Sequence, residues 1–439
     1  MKNELIKGID AQIEDFGVKF FQVLNSEKLN LGSSSKIIEL ITNDPKAKKK
    51  VFKFISVLSN LETDTLLSEF HSRYLSEYKT VISASKLSIP FGKNPIKKSF
   101  DELAGNFFPV SNTKKISKFL KKDSVNYSSL NLNLIPENII SEKDSIAYVD
   151  KVIESIKNVK DFKSDKNLKI KKKSLIKDHK AGELTVNLTV NICGLYSKIN
   201  QLDFDNSVNI ISGRLEKILE SALKEDVNIT VTVCEVLDSN ILLEVFKKVF
   251  FKSELDYKLP GIELSSNLKI AKKEIEKLIA LSKEKQQQIS IRLIKDYKNR
   301  NESDKLKLYT EKEDIDANFE KLSKYILDNS NVIYPVFSCL DIRNLAFVIN
   351  YAITKGLSLK DYEFFFKYGE VNHFVNIFDS LGYFTRLSLP ILDGFFTTKY
   401  LINVLNKISL NKFTRTDYFD ESQIKELMKK PLFNGEINV

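Results

Sequence analysis

From Ser128 onward, short β-branched and apolar runs alternate with amphipathic helical stretches, and this rhythm constrains the fold more tightly than any other feature of the chain. Eight strand-like runs occur: SLNLNLI ending at Ile135, LTVNLTVNI ending at Ile192, VNITVTV ending at Val233, GIELS from Gly261, ISIRLI from Ile289, NVIYPVF from Asn331, YEFFF from Tyr362 and TRLSLP from Thr385. Helical periodicity fills the intervals, over Glu142 to Lys157, Val208 to Leu223, Ser239 to Phe250, Leu268 to Lys283, Ile315 to Leu327 and Ile342 to Ala352, with a weak seventh stretch over Val371 to Leu381 and a last near Phe395 to Lys407. Eight β-then-α units predict the α/β class and a closed (β/α)8 barrel of TIM type. An open doubly wound sheet is the alternative, because strand count alone does not establish closure.

The first hundred residues have a different rhythm. Leu5, Ile9, Ile13, Phe16, Phe20 and Leu24 recur at spacings of three and four, which predicts one helix with a core-facing stripe. A second helix is expected from Lys46 to Leu61, started by Asp44-Pro45, with its lysines on a solvated face. Turn residues cluster at Ile89-Pro90-Phe91-Gly92 and Asn94-Pro95, so an all-helical N-terminal arm over residues 1–100 and a barrel over 101–439 are expected.

Composition removes several function classes. Three cysteines (Cys193, Cys234, Cys339) and three histidines (His71, His179, His373), none closely spaced, leave no disulfide framework and no Cys/His metal site to expect. Neither GxGxxG nor GxxxxGK[ST] occurs, which sets aside Rossmann and P-loop phosphate binding. The charge-rich N-terminus has no apolar signal region and no 18-residue apolar run exists, so neither a signal peptide nor a membrane span is expected, and a cytoplasmic location is. The net charge of +10 owes much to Lys160 to Lys180, where nine lysines meet three aspartates. That stretch has Phe162 as its one aromatic and no arginine, so it reads as a solvated excursion rather than a nucleic-acid patch.

In barrels of this type the working residues sit at the C-terminal ends of the strands. The candidates there are Asn191, Thr232 with Glu235, Ser265 with Asn267, Arg292 with Lys295, Cys339 with Asp341, and Ser388. An Arg-Lys pair three apart at a strand end holds a phosphate or carboxylate, or else forms structural salt bridges. No histidine is among them, and Cys339 has no adjacent base, so imidazole acid/base chemistry is disfavoured and Cys339 reads as a buried inert thiol.

At the fifth strand a family resemblance appears. ISIRLIKDY, then LYTEKEDIDANF, then VIYPVFS resemble the RLVKGAY, TRKxxTDxxY and IYPQFATHN succession of proline dehydrogenases. ELAGNFF near Leu103, VNICGLY, TVTVCEV, YEFFFKYG and TRLSLPIL are similar, in order, to further family segments, the last four to SVKLSAL, IDAEEAD, FEFQxLHG and RIYAPVG. Upstream, NDPKAKKKVFKFISVLSNLETDTLLSEFHSRYL is similar to the helical segment that precedes the barrel in bifunctional proline-utilisation proteins. The resemblance covers nearly the whole chain through loose motifs, and the aldehyde dehydrogenase half of such proteins is expected on a separate partner.

The resemblance implies an FAD-dependent barrel that oxidises L-proline to 1-pyrroline-5-carboxylate and passes electrons to a membrane quinone, with a peripheral contact at the inner membrane face. Arg292 and Lys295 match the strand residues that lie by the flavin, and Thr310 and Lys312 match the loop at its adenosine end. The glycine after RLVK is Asp296 here, and a carboxylate near flavin phosphates is repelled by about 4 kcal/mol at about 4 Å and an effective dielectric of 20. The fourth-strand glutamine and tyrosine become Ser265 and Asn267, and the ATHN segment becomes Ser338, Cys339, Leu340 and Asp341.

On the substrate side, the strand-two lysine is replaced by Asn191, the strand-three aspartate by Thr232, the strand-eight tyrosine by Ser388, and the two adjacent carboxylate-binding arginines by Asn403 and Val404; only Glu235 keeps an acid nearby. A carboxylate deprived of bidentate partners binds far more weakly. The expectation is a proline dehydrogenase-like protein whose oxidation of proline is impaired or lost, acting as a binding or regulatory scaffold for a small amino-acid ligand. A divergent active FAD-dependent dehydrogenase of proline or a related cyclic amine, and a non-flavin interaction module, are the alternatives.

Overall fold

The computed structural model describes residues 2–26, 35–58, 63–78, 104–105, 107–110, 113–122, 129–136, 139–163, 186–233, 239–252, 257, 259–295, 306–369, 372–391, 398–410 and 420–429. Eight strands, β1 (Ser129–Leu134), β2 (Val186–Asn191), β3 (Val227–Thr232), β4 (Gly261–Ser265), β5 (Ile289–Ile294), β6 (Ile333–Ser338), β7 (Glu363–Lys367) and β8 (Thr385–Ile391), pair in parallel in chain order. β1 pairs with β8 as well as β2, for example Asn131 with Ser388, so the sheet closes and the barrel, not the open sheet, is the fold.

Four helices lie in the N-terminal region: α1 (Lys2–Ser26), α2 (Ser35–Asn43), α3 (Pro45–Leu58) and α4 (Asp64–Leu75). A short α5 (Ile116–Lys122) leads into β1. The crossover helices are α6 (Glu142–Lys163), α7 (Phe204–Lys224), α8 (Ser239–Phe250), α9 (Ala271–Lys285), α10 (Lys312–Asp328), α11 (Ile342–Thr354) and α12 (Asn372–Ser380). After β8 come α13 (Thr398–Leu410) and α14 (Glu421–Leu427). α3 starts where Pro45 is expected to start it: Asp44 accepts hydrogen bonds from the backbone N–H of Lys46 at 2.8 Å and Ala47 at 3.0 Å. α6 carries helix as far as Lys163, into the lysine-rich stretch, whose remainder lies outside the described residues.

Strand alternation divides the sheet into two unlike faces. Leu130, Leu132, Val190, Ile229, Ile291 and Phe364 point outward and join the crossover helices in the main apolar core. The inward positions are mostly polar, with Asn131, Thr189, Thr230, Arg292, Glu363 and Arg386 all buried.

The N-terminal helices attach to the barrel in two ways. The stripe on α1 does face a core, with Ile13 and Phe20 buried and the Phe20 ring 5.2 Å from Phe374 and 5.8 Å from Phe378 on α12. Gly17 permits the approach of α14, since a Cβ there would lie 2.6 Å from Met428 Cγ and Sδ. α2, α3 and α4 instead form a second core with α13, in which Ile38, Phe54, Leu401 and Leu405 are buried together with Phe107. The expected boundary near residue 100 falls within 79–103, outside the described residues. No helix among the described residues is long and apolar enough to cross a membrane.

Candidate active site

The lumen is organised by two Arg–Glu pairs, one of them buried on both sides. Arg292 on β5 places Nη1 3.1 Å from Glu263 Oε2 of β4 and 3.1 Å from Thr189 Oγ1 of β2, while Nη2 donates to Asn187 Oδ1 at 3.3 Å. Its guanidinium carbon also lies 3.8 Å from the centroid of the Phe365 ring. Thr232 donates to the other oxygen of Glu263 at 2.6 Å. Arg386 on β8 grips Glu363 of β7 with two hydrogen bonds of 2.6 and 3.0 Å, and Tyr334 donates to the same carboxylate at 3.3 Å.

Lys295 goes elsewhere. Residues an odd number of positions apart on a strand face opposite sides, and Lys295, just past β5, points away from Arg292 into the seam between α10 and α11. There its ammonium lies 2.5 Å from Asp316 Oδ1 and 3.6 Å from Asp341 Oδ2, and donates to Asn344. Lys312, at the start of α10, joins the same group through Asp316 and lies 3.6 Å from Asp341. Burial pushes the Asp316 carboxyl upward, but Lys295 and Lys312 outweigh it and hold it below the usual carboxylate range. Thr310 is half-buried, with its hydroxyl 3.3 Å from Glu311 Oε1. Farther along α10, Glu320 meets Arg343 at 2.9 Å, and Arg343 continues to Asp10 of α1 at 2.8 Å and to the Met428 carbonyl at 2.7 Å.

The remaining candidates mostly serve local structure. Asn191 caps the turn after β2 by accepting from Cys193 N–H at 3.0 Å, Asp341 caps α11 by accepting from Asn344 N–H at 3.3 Å, and Ser265 accepts from Asn267 N–H at 3.2 Å. Cys339 is buried, and desolvation pushes its thiol up to about 12, the inert thiol expected from the sequence. Glu235 and Asp296 lie outside the described residues. Asn403 is exposed on α13 while Val404 turns inward, 5% exposed.

Val404 reaches a small cavity of about 10 Å³ at the barrel mouth, which it lines with Phe107, Phe108, Asn133, Lys367 and Ser388. A larger groove, about 310 Å³, lies outside the lumen against α6, between Tyr148, Lys151 and Glu154. Among the described residues no cluster of His, Cys, Asp and Glu could hold a metal ion. The sequence reading missed Asn187, Thr189, Glu263 and Asp316, which partner Arg292 and Lys295, the Arg386–Glu363 pair, and Lys367.

A family model described as proline dehydrogenase matches residues 114–402, from α5 through all eight strands to α13. The chain belongs to the proline dehydrogenase family. Among solved structures, proline utilization A from Bdellovibrio bacteriovorus, inactivated by N-propargylglycine, superposes with a TM-score of 0.82 at 23% identity, over 96% of this chain and 44% of that one. A Bradyrhizobium japonicum proline utilization A variant gives 0.67 at 15% identity, over 97% and 46%. A bifunctional proline utilization A protein gives 0.69 at 16%, again over 97% and 46%. At these identities the likeness is one of fold, and the chain spans under half the length of each structure. A search of curated protein sequences returns no match.

Of the four side chains that match the proline dehydrogenase flavin positions, Lys295 and Lys312 meet on Asp316, while Arg292 and Thr310 have other partners. Arg292 is held in the lumen by Glu263, Lys295 is turned into a helix seam with its side chain 1% exposed, Lys312 is tied to Asp316, and Thr310 sits beside a carboxylate. As arranged, Arg292 and Lys295 are engaged by protein carboxylates, whereas Lys312 stays 59% exposed and Thr310 half-buried.

Proposed function

We propose that this chain is a proline dehydrogenase-family barrel that has kept the scaffold and lost proline oxidation, and that it acts as a non-catalytic binding module. The observation that carries this reading is the Arg292–Glu263 pair. A guanidinium with a carboxylate at 3.1 Å, and with Thr189 and Asn187 accepting from its two terminal nitrogens, has its charge spent inside the protein. Lys295, 1% exposed, is neutralised in the same way by Asp316, which Lys312 also meets from the surface. On the substrate side, Ser388, Asn403 and Val404 supply neither an aromatic face nor a bidentate cation for an amino acid.

The test is a flavin spectrum of the purified protein, with and without added FAD, alongside proline-dependent reduction of an artificial electron acceptor. A colourless protein that gives no proline-dependent reduction is expected. Stoichiometric bound flavin with proline turnover would sink the reading.

A further inference from the structure

The groove of about 310 Å³ beside α6 lies outside the lumen, and its size is that of a small-molecule pocket. α6 lines it with Asp144, Tyr148, Lys151 and Ser155, which stand at i, i+4, i+7 and i+11 and so share one helix face. The groove therefore runs along the helix. Its other walls are apolar surface from Ile135, Ile139 and Ile391, and Thr113 with Lys114 ahead of α5.

Most polar groups around the groove are already committed. Tyr148 donates to the Leu134 carbonyl at 3.0 Å and accepts from Asn191 N–H at 3.3 Å, Asn158 donates to Thr113 Oγ1 at 3.0 Å, and Lys114 pairs with Glu154 at 2.9 Å. Lys151 has a partner of its own. Two groups are left over. The Asp144 carboxylate takes its hydrogen bonds, from Ile140 N–H and from Ser141 N–H and Oγ–H, all on Oδ2, and it forms no ion pair among the described residues. The Ser141 bonds hold that carboxyl below the usual range, so it is ionised at neutral pH. Ser155 is 6% exposed, yet its hydroxyl has no hydrogen-bond partner among the described residues. Native structures leave few buried polar groups unsatisfied, and one that borders a cavity marks a place for a ligand atom.

We propose that this groove binds a linear aliphatic amino alcohol, its ammonium on Asp144 Oδ1, its methylenes on Ile135, Ile139 and Ile391, and its hydroxyl on Ser155. Eleven residues of helix set the two anchors about 16 Å apart along the axis, which leaves about 10 Å, or about six to seven methylenes, between the ligand's ends after a hydrogen bond of about 3 Å at each. Amino acids fit less well, because Lys114 and Lys151 are both engaged and leave no open cation for a carboxylate. The site lies outside the lumen and stands whether or not the barrel oxidises proline.

The experiment is thermal denaturation and titration calorimetry of the full chain with 6-amino-1-hexanol, set against 1,6-hexanediol, hexylamine and 6-hydroxyhexanoate at constant ionic strength. The amino alcohol should raise Tm saturably and bind about tenfold more tightly than the diol, which lacks the charge, and several-fold more tightly than hexylamine, which lacks the hydroxyl. The anionic 6-hydroxyhexanoate should give no shift. Asp144→Asn, which keeps an acceptor for Ser141, should reduce binding of the amino alcohol to that of the diol. Ser155→Ala should reduce it to that of hexylamine and leave hexylamine itself unchanged. Ala147→Trp, at an exposed position lining the groove, should abolish binding altogether. No binding of the amino alcohol, equal binding of the diol, binding of 6-hydroxyhexanoate as tight as that of the amino alcohol, or an unchanged response in Ala147→Trp would overturn the proposal. If Asp144→Asn does not fold, the comparison with the diol on the unmodified protein decides the role of the charge. Proline turnover, read separately by dye reduction, bears on the loss of catalysis and not on this site.

Discussion

The two faces of the same eight strands are built by different physics. The outer face is aliphatic and aromatic, with Leu132, Ile229 and Ile291 fully buried under helices, and its stability comes from area removed from water. The inner face buries Arg292, Glu363 and Arg386 with asparagines and threonines, and holds together only because each charge has a partner at hydrogen-bond distance. Burial on the outer face is tolerant of detail. On the inner face a single missing partner leaves an uncompensated charge in a low-dielectric space.

That contrast can be broken most sharply at Arg386. Arg386→Met should cost about 3–5 kcal/mol in chemical denaturation by stranding Glu363, and adding Glu363→Leu should restore most of it. A double variant as unstable as the single one would mean that the inner face depends on charge as such. On the outer face, Leu132→Ala should cost about 2–5 kcal/mol through its cavity, with no second-site substitution that rescues it by charge. Removing a neutral link of the lumen network is a smaller change: Asn131→Ala should cost about 1–3 kcal/mol by leaving Thr189 and Ser388 without their shared partner.

Asp316 sharpens the comparison through pH. Its folded-state carboxyl is held below the ordinary value, so the stability it contributes is present above the unfolded pKa and is lost as pH falls through the folded one. Asp316→Asn should therefore lower stability at neutral pH and flatten the acid limb of a stability–pH profile. A profile as steep as that of the unmodified protein would remove Asp316 from the account. The smallest effect is at Cys339: with its thiol pushed up to about 12, alkylation at neutral pH should be negligible until the protein unfolds.

Much of this was legible in the chain. All eight strands and the crossover helices appear where the β-branched runs and apolar periodicity place them, because barrel closure obeys a local rhythm repeated eight times. The polar lumen was legible too, in SLNLNL, VNLTVN and VNITVT: buried parallel strands usually read as continuous apolar runs, so an Asn or Thr at every second position signals a lumen that is not aliphatic. The divergence of Arg292 and Lys295 follows from their odd spacing on an extended strand. What could not be read was partner choice. That Arg292 selects Glu263 and Asn187, or that Arg343 gathers Asp10 and Met428, depends on contacts between elements far apart in sequence, which no local pattern encodes.

The clasp at Arg343 also sets an order of events during synthesis. Asp10 and Arg343 are 333 residues apart, and α14, which packs beside α1, is made later still. At roughly 5–20 residues per second, α1 waits on the order of 20–70 s after emerging before its docking surface exists. Throughout that interval its stripe of Ile13, Phe16 and Phe20 has no native cover, which leaves α1 as an apolar surface for a chaperone to shield.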